Sequence, residues 1–600
     1  MLAVDGSSPG ATGAKRAWRP WRALALLLGS ALLVACQSRT NVSATGNSPA
    51  QFTHVFVTIN QIWFNTSAVA AATDSSWQKF ALTTPATVDL VTLNNGTLSQ
   101  FASELKLTAG TYAQVIVVLA DSTDALTTSA QTAGAASNDE VDYVDSSNLA
   151  HTVPLAVLNA AQGISIGTSL TVAGAATGIS SAVGSLSSPT TSTGTSTLAG
   201  TTSLATSSSP AAPVGATVST PAVATTAAII DFDASRDLLP ISLSGQPAYA
   251  LNPHPLSYDV KYSGSIQGAV SLAGVSTLTA AGLPDVQVSA ETLSGDGTRH
   301  VTMKTARVDA SGNFALYPLS TASGAPGNYD LVIHGPDIET VIIKSVPVAA
   351  GVPGTATAQL GTLTLTAATA FLVNFNTSTP AAPTSSLVGF YQTLPLSAEV
   401  PYLVETRAID PISGVFATDQ AISGGSLQYG SYITGGSISL TSANPTQGAA
   451  TYSIGAINAA YGTATLGTTV TSPGNTTTTA LFTMSAPPLP TGSAANTITG
   501  TVNLASPGTY DNAELFLTYH GVLVAASALN GYLGQPQSTF TLTGIAPGGT
   551  ADSVDAAGVY DAEIWAWNSA DPTGTLSRTP SATTIDTSAG NATGVALNIQ

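Results

Sequence analysis

Two distant stretches of this chain follow one pattern: Gly327-Asn328-Tyr329-Asp330-Leu331-Val332-Ile333 and Gly558-Val559-Tyr560-Asp561-Ala562-Glu563-Ile564. Side chains on a strand alternate between faces, so Tyr329, Leu331 and Ile333 are expected on one side, with Tyr560, Ala562 and Ile564 as their counterparts. A strand of this kind is stable only when its apolar face is covered by a second sheet. The same grammar met twice therefore predicts a modular array of β-sandwiches rather than one large core. Abundant Gly (55) and Pro (34) favour short strands and turns over long helices. With 600 residues and about 150 per domain, roughly four domains are expected. The fold class predicted is all-β.

The export signal is equally specific. Lys15-Arg16-Ala17-Trp18-Arg19-Pro20-Trp21-Arg22 is basic, and Ala23 to Ala35 is an uncharged run of Leu, Ala, Val, Gly and Ser that ends at Cys36. A membrane-spanning helix needs about 20 apolar residues, so this shorter run fits the apolar region of a secretory signal. Cys36 is the one cysteine in the chain, which excludes an internal disulfide framework. Leu33-Val34-Ala35-Cys36 resembles the bacterial lipobox, which implies cleavage after Ala35 and a diacylglyceryl group on the Cys36 sulfur. Gln37, in place of the Asp that usually retains lipoproteins at the inner membrane, implies an outer-membrane or cell-surface destination. Each buried methylene adds about 0.8 kcal/mol, so several acyl chains make a durable anchor.

Only 8% of residues are charged, and eleven basic against 32 acidic side chains follow Cys36, a balance near −21. Such a surface repels phosphate backbones, so no nucleic-acid partner is expected. No cofactor is implied either.

Residues 36–50 are small and polar and read as a flexible tether. Val55, Val57 and Ile59 then alternate with His54, Phe56 and Thr58, and strands are expected over Val88 to Leu93 and Tyr112 to Leu119, separated by a turn at Asn94-Asn95-Gly96. The order Val55-Phe56-Val57-Thr58-Ile59, Trp77, Val88-Asp89-Leu90-Val91, Leu107-Thr108-Ala109-Gly110-Thr111-Tyr112 and Ile229-Ile230-Asp231-Phe232 resembles the DUF4382 domain of bacterial lipoproteins, over about 51–255. The resemblance implies location and fold but carries no activity. Within it, about 172–228 is dominated by Ser, Thr, Ala, Gly and Pro with no aromatic, and is expected to be a disordered insertion.

Residues 262–366 open with Gly264-Ser265-Ile266-Gln267-Gly268 and resemble the carboxypeptidase-regulatory-like, or transthyretin-like, β-sandwich, with Asp309-Ala310-Ser311-Gly312 as a hairpin turn and Phe314 facing inward. Residues 496–600 repeat that grammar. Between them, 367–490 is β-rich and neutral, with no charge from 420 to 510. The fold expected is thus tandem immunoglobulin/transthyretin-like β-sandwich modules behind a lipoprotein signal peptide (1–35), with one long low-complexity insertion.

Three features carry candidate chemistry. Gly163-Ile164-Ser165-Ile166-Gly167 matches the nucleophile-elbow pattern, but no helix of adequate length follows, so a strand edge is the better reading and no catalytic residue is assigned. The six histidines lie singly, and acidic pairs such as Asp231 with Asp233 and Glu140 with Asp142 suit solvated surface as well as Ca²⁺, so no metal ligand is assigned. Trp565 and Trp567 share one face of the last Gly-x-Tyr strand, opposite Tyr560, Ala562 and Ile564. Two exposed indoles would suit sugar-ring stacking; the alternative is that they pack on a neighbouring module or a covering loop. The leading reading is a non-enzymatic envelope lipoprotein whose modules serve adhesion, assembly or ligand presentation, with the membrane as one partner and a glycan or cell-surface protein as another. A glycan-binding accessory protein and a hydrolase acting through Ser165 are the other two classes.

Overall fold

In each of four folded units the first strand lies between two others, antiparallel to one and parallel to a late strand of the same unit. The computed structural model describes residues 37–173 and 225–599 with short breaks, the longest at 272–284, 483–495 and 546–558. Its central strands are Gln37–Asn47, Ser263–Ser271, Ala370–Thr377 and Asn496–Leu504. Their antiparallel neighbours are Ser99–Thr108, Asn313–Ser320, Gln420–Ser423 and Gln537–Ile545. Their parallel neighbours are Thr225–Asp233, Ala358–Thr364, Thr478–Phe482 and Ala592–Ile599. A second sheet covers each of these, and the cores lie between: Val42 and Ile230 meet Ile62 and Tyr112 in the first unit, and Ile266 meets Val288 and Leu331 in the second. The chain is all-β, as expected, with two short α-helices, Thr128–Ala133 and Ala234–Asp237, and two 3-10 turns among the described residues.

The alternation of the Gly-x-Tyr strands holds. Phe314, Tyr329, Leu331 and Ile333 are buried in the second core, and Tyr560, Ala562 and Ile564 in the fourth. Both modules also share a close approach: Gly268 lies opposite Phe314, and Gly500 opposite Phe540, in the sheet register. A Cβ at Gly268 would stand 2.6 Å from Phe314 Cζ, and one at Gly500 2.7 Å from Phe540 Cε1, so the ring occupies the space a side chain would need. The 367–490 region arranges its first strand as its neighbours do, which its sequence did not disclose.

Three expectations are corrected. The tether expected over 36–50 is a strand over most of its length: Gln37–Asn47 is the central strand of the first unit, with Ser38, Thr40, Val42 and Ala44 buried on its inner face. Its side chains are small and polar, so the period of two was present without a hydrophobic signal; the backbone pairs on both edges hold it. The segment expected as a strand over Val88 to Leu93 ends at Asp89, whose carboxylate accepts the Val91 N–H and starts a 3-10 turn over Leu90–Leu93. Residues 225–228, assigned to the insertion, open the strand Thr225–Asp233. Residues 174–224 of that insertion lie outside the described residues, as do the leader, Leu33, Val34, Ala35 and Cys36. No helix among the described residues is long and apolar enough to cross a membrane.

Candidate functional site

The side chains with the most chemistry gather where one unit meets the next. At the junction between the fourth unit and the first, Trp565 does face away from its own core, as the alternation requires. It is fully buried there, packed with Phe516 and Ala526 against Ala156, Leu158, Leu239 and Ala250 of the first unit. Beside it, Gln162 Nε2 donates to Asp561 Oδ1 at 3.2 Å. The expectation of an exposed sugar-stacking indole is therefore wrong at Trp565; the alternative, packing on a neighbouring module, is what the structure has. Trp567 ends the same strand, and its side chain lies outside the described set.

The first unit meets the second through its Asn94-Asn95-Gly96 turn. Asn95 and Gly96 both take positive φ, 55° and 73°, the conformation these residue types tolerate best. The turn presents Asn94 Oδ1 to the Arg307 N–H and Asn95 Oδ1 to the Ala315 N–H, each at 3.2 Å. Gly96 lies against Tyr317, where a Cβ would come within 2.9 Å. Next to it, Lys304 and Asp231 form a buried ion pair. Burial pushes the Asp231 carboxyl above its usual range even though Lys304 pulls it down. Burial works against the Arg236 charge too, but Asp237, Asp233 and Asp231 outweigh it and hold the guanidinium above its ordinary value. The Asp233 carboxylate accepts the Ser235 N–H at 3.1 Å, capping the helix Ala234–Asp237. A cleft lined by Asn47, Asp231, Asp233, Arg236, Thr302 and Lys304 has room for about one water.

The second and third units share more than a contact. Val332 and Ile342, on the outer faces of the strands Asn328–His334 and Val341–Pro347, are buried in the core of the third unit with Phe371, Phe390 and Tyr452. In return, the third unit adds the strands Gln428–Ser431 and Thr441–Ser442 to the edge of the second unit's sheet. The continuous apolar runs Leu331-Val332-Ile333 and Val341-Ile342-Ile343 were the sequence signal for burial on both faces. This seam is also titratable. Glu291 is completely buried; its Oε2 accepts the Leu403 N–H at 3.2 Å and its Oε1 the Thr302 hydroxyl at 3.2 Å. Burial pushes its carboxyl up to about 8, against the pull of those bonds. The His300 ring stacks on Tyr402 with centroids 3.8 Å apart. Tyr402 donates its hydroxyl to Asp330 Oδ2 at 2.9 Å, with Glu399 Oε2 at 3.3 Å, and Glu399 pairs with Lys344. His334 is buried, and burial with the nearby Arg407 charge pushes its imidazole down to about 3.

Ser165 lies on Ile164–Val172, the last strand of the eight-stranded sheet, where its Oγ accepts Gln114 Nε2 at 2.6 Å. His54 and His151 each face one aspartate at 2.9 Å, Asp89 and Asp145. Glu140 accepts the Ala136 and Ser137 N–H groups at 2.8 and 3.0 Å, and Asp231 and Asp233 have the separate partners already described. Among the described residues, no three His, Cys, Asp or Glu side chains are grouped to hold a metal ion.

Comparison with known proteins bears on the first unit. No curated protein matches the sequence. Among solved structures, the chain is similar to the Bacillus anthracis TIE protein at 9% identity over 94% of this chain and 74% of that one, with a TM-score of 0.13. It is similar to the pilus adhesin SpaC of Lactobacillus rhamnosus GG at 13% identity over 59% and 46% (TM-score 0.13), and to BcpA, the major pilin subunit of Bacillus cereus, at 9% over 56% and 99% (TM-score 0.11). At such scores these likenesses carry no argument about fold or function. Residues 38–253 match the domain of unknown function DUF4382, a span that begins inside the central strand Gln37–Asn47, so the chain carries a DUF4382 domain as its first folded unit.

Proposed function

We propose that this chain is a non-enzymatic envelope lipoprotein, anchored through Cys36, whose four β units present an outer surface for adhesion, assembly or ligand capture. The observation that carries the reading is the leader: four basic residues, thirteen uncharged ones and then the only cysteine of the chain. The buried junctions support the presenting role. Trp565, the Asp231–Lys304 pair and the Val332–Ile342 face each join one unit to another, so the units are held as one body and not as beads on loose linkers. Ser165, bonded to Gln114 on the neighbouring strand, supports a structural part for that serine.

The test is acyl labelling of wild type and Cys36→Ala, combined with protease treatment of intact cells. Wild type is expected to take up label and to stay with the membrane, while Cys36→Ala loses the label and is recovered in soluble form. Equal labelling of the two, or a membrane-bound Cys36→Ala, contradicts the reading.

A further inference from the structure

The loss of the tether places one end of the DUF4382 domain beside Cys36. Gln37 is already paired with Thr108, and a single residue spans at most about 3.5 Å, so a lipid-bearing sulfur would sit at the end of the folded sheet with no spacer. The same end holds the turn into Gly110–Leu119 and the loop 66–77, whose Thr66 methyl stands 4.0 Å from the Cβ position of Gly110. Gln78 ties the two together: its Nε2 donates to Thr108 Oγ1 at 2.8 Å and its Oε1 accepts the Thr108 N–H at 3.2 Å.

This pole combines an apolar loop with basic side chains. The loop carries five consecutive apolar residues, Ala68-Val69-Ala70-Ala71-Ala72, and Val69 is 44% exposed. The indoles of Trp63 and Trp77 lie 6.1 Å apart at its base. Three of the eleven basic residues that follow Cys36 are here, in a chain that is otherwise strongly acidic. Arg39 and Lys106 are direct cross-strand partners, and both are exposed. Lys79 is exposed next to Gln78, with its Nζ 3.5 Å from the Trp63 ring centroid. Two acids are also here: Glu104 pairs with Arg39 and offsets its charge, and the exposed Asp74 carboxylate accepts the Ala71 N–H at 3.1 Å, so the net positive charge of the pole is carried by Lys79 and Lys106. A small apolar tip ringed by cations is what an anionic lipid headgroup layer accommodates.

The geometry points to this pole as a lipid-contacting surface: Val69 and its loop enter the headgroup region of the leaflet that holds the acyl chains, and Lys79 and Lys106 meet anionic phospholipid. The inference rests on the anchoring reading above. The chain's single cysteine offers a test that separates the two. Full-length protein with Val69→Cys is purified from membranes, labelled with an environment-sensitive maleimide dye, and reconstituted into vesicles of phosphatidylcholine with or without phosphatidylglycerol. Leu293→Cys in the second unit, 55% exposed, is the control.

An acylated Cys36 leaves only the introduced thiol to react. The expected result is a blue-shifted, lipid-quenchable emission at position 69, larger with phosphatidylglycerol and reduced by Lys79→Glu with Lys106→Glu, while the dye at 293 emits as in water. Vesicle-bound protein whose dye at 69 also emits as in water overturns the surface but leaves the anchor standing. A shift unchanged by the charge reversals overturns the assignment to anionic headgroups. A protein that labels at Cys36 and does not float with vesicles overturns the anchor and this surface together.

Discussion

The junction of the first and fourth units and the junction of the second and third are both buried, and they combine apolar and titratable groups in different proportions. Around Trp565 the apolar contacts are Ala, Leu and Phe, with the buried Glu514, its cross-strand partner, and Glu563 on the same strand face, and the Gln162–Asp561 hydrogen bond beside them. Between the second and third units, an apolar patch of Val332 and Ile342 lies beside Glu291, His300, Asp330, Glu399 and Tyr402. An apolar contact holds equally well at any pH, whereas a seam with buried titratable groups is stable only while they keep their preferred protonation. Both junctions bury carboxylates, and the second adds Glu291 and His334, whose protonation burial displaces in opposite directions, so pH acts on the second through groups the first lacks.

The largest effect is expected at the junction of the first and fourth units. Trp565→Ala removes a fully buried indole, a change that costs about 3–5 kcal/mol, and small-angle scattering should show the fourth unit swinging free of the first. Ile342→Ala, in the shared core of the second and third units, should cost about 2–5 kcal/mol by thermal or denaturant unfolding. A loss confined to one unit would show that the two do not fold as one.

The next effect separates the junctions by pH. Glu291 is held at about 8 in the folded chain against an ordinary value of 4.5, so between those values the folded state keeps a proton that the unfolded state has released. Its contribution is complete below pH 4.5 and is lost as pH rises through 8, by up to about 1.4 kcal/mol per unit. His334 works in the opposite sense: held at about 3 against 6.5, it costs stability as pH falls below 6.5. Glu291→Gln, which keeps an acceptor for the Leu403 N–H, should flatten the alkaline limb of the stability profile and leave the acid limb alone. An unchanged alkaline limb would remove Glu291 from the account. The smallest effect is Ser165→Ala, where loss of the bond from Gln114 should cost about 1 kcal/mol by denaturant unfolding.

Much of the architecture was legible because period-two alternation is a local signal. Tyr329, Leu331 and Ile333 announced their face, and so did the opposite face of Trp565. What covers that face was not legible, since Ala156, Leu158 and Leu239 are distant in sequence and no local pattern names a partner. Asn94-Asn95-Gly96 was readable as a turn, but its docking on Arg307 and Ala315 was not. The strand Gln37–Asn47 was missed for a different reason. Ser38 and Thr40 occupy inward positions where hydrophobicity gives no contrast, and only the pairing of both strand edges defines it.

The central claim is the anchor at Cys36, and intact-mass spectrometry of the protein extracted from membranes tests it most directly. The account predicts a chain that begins at Cys36 and carries the mass of a diacylglyceryl group on its sulfur. A free thiol at Cys36, or a chain that still bears residues 1–35, would contradict it.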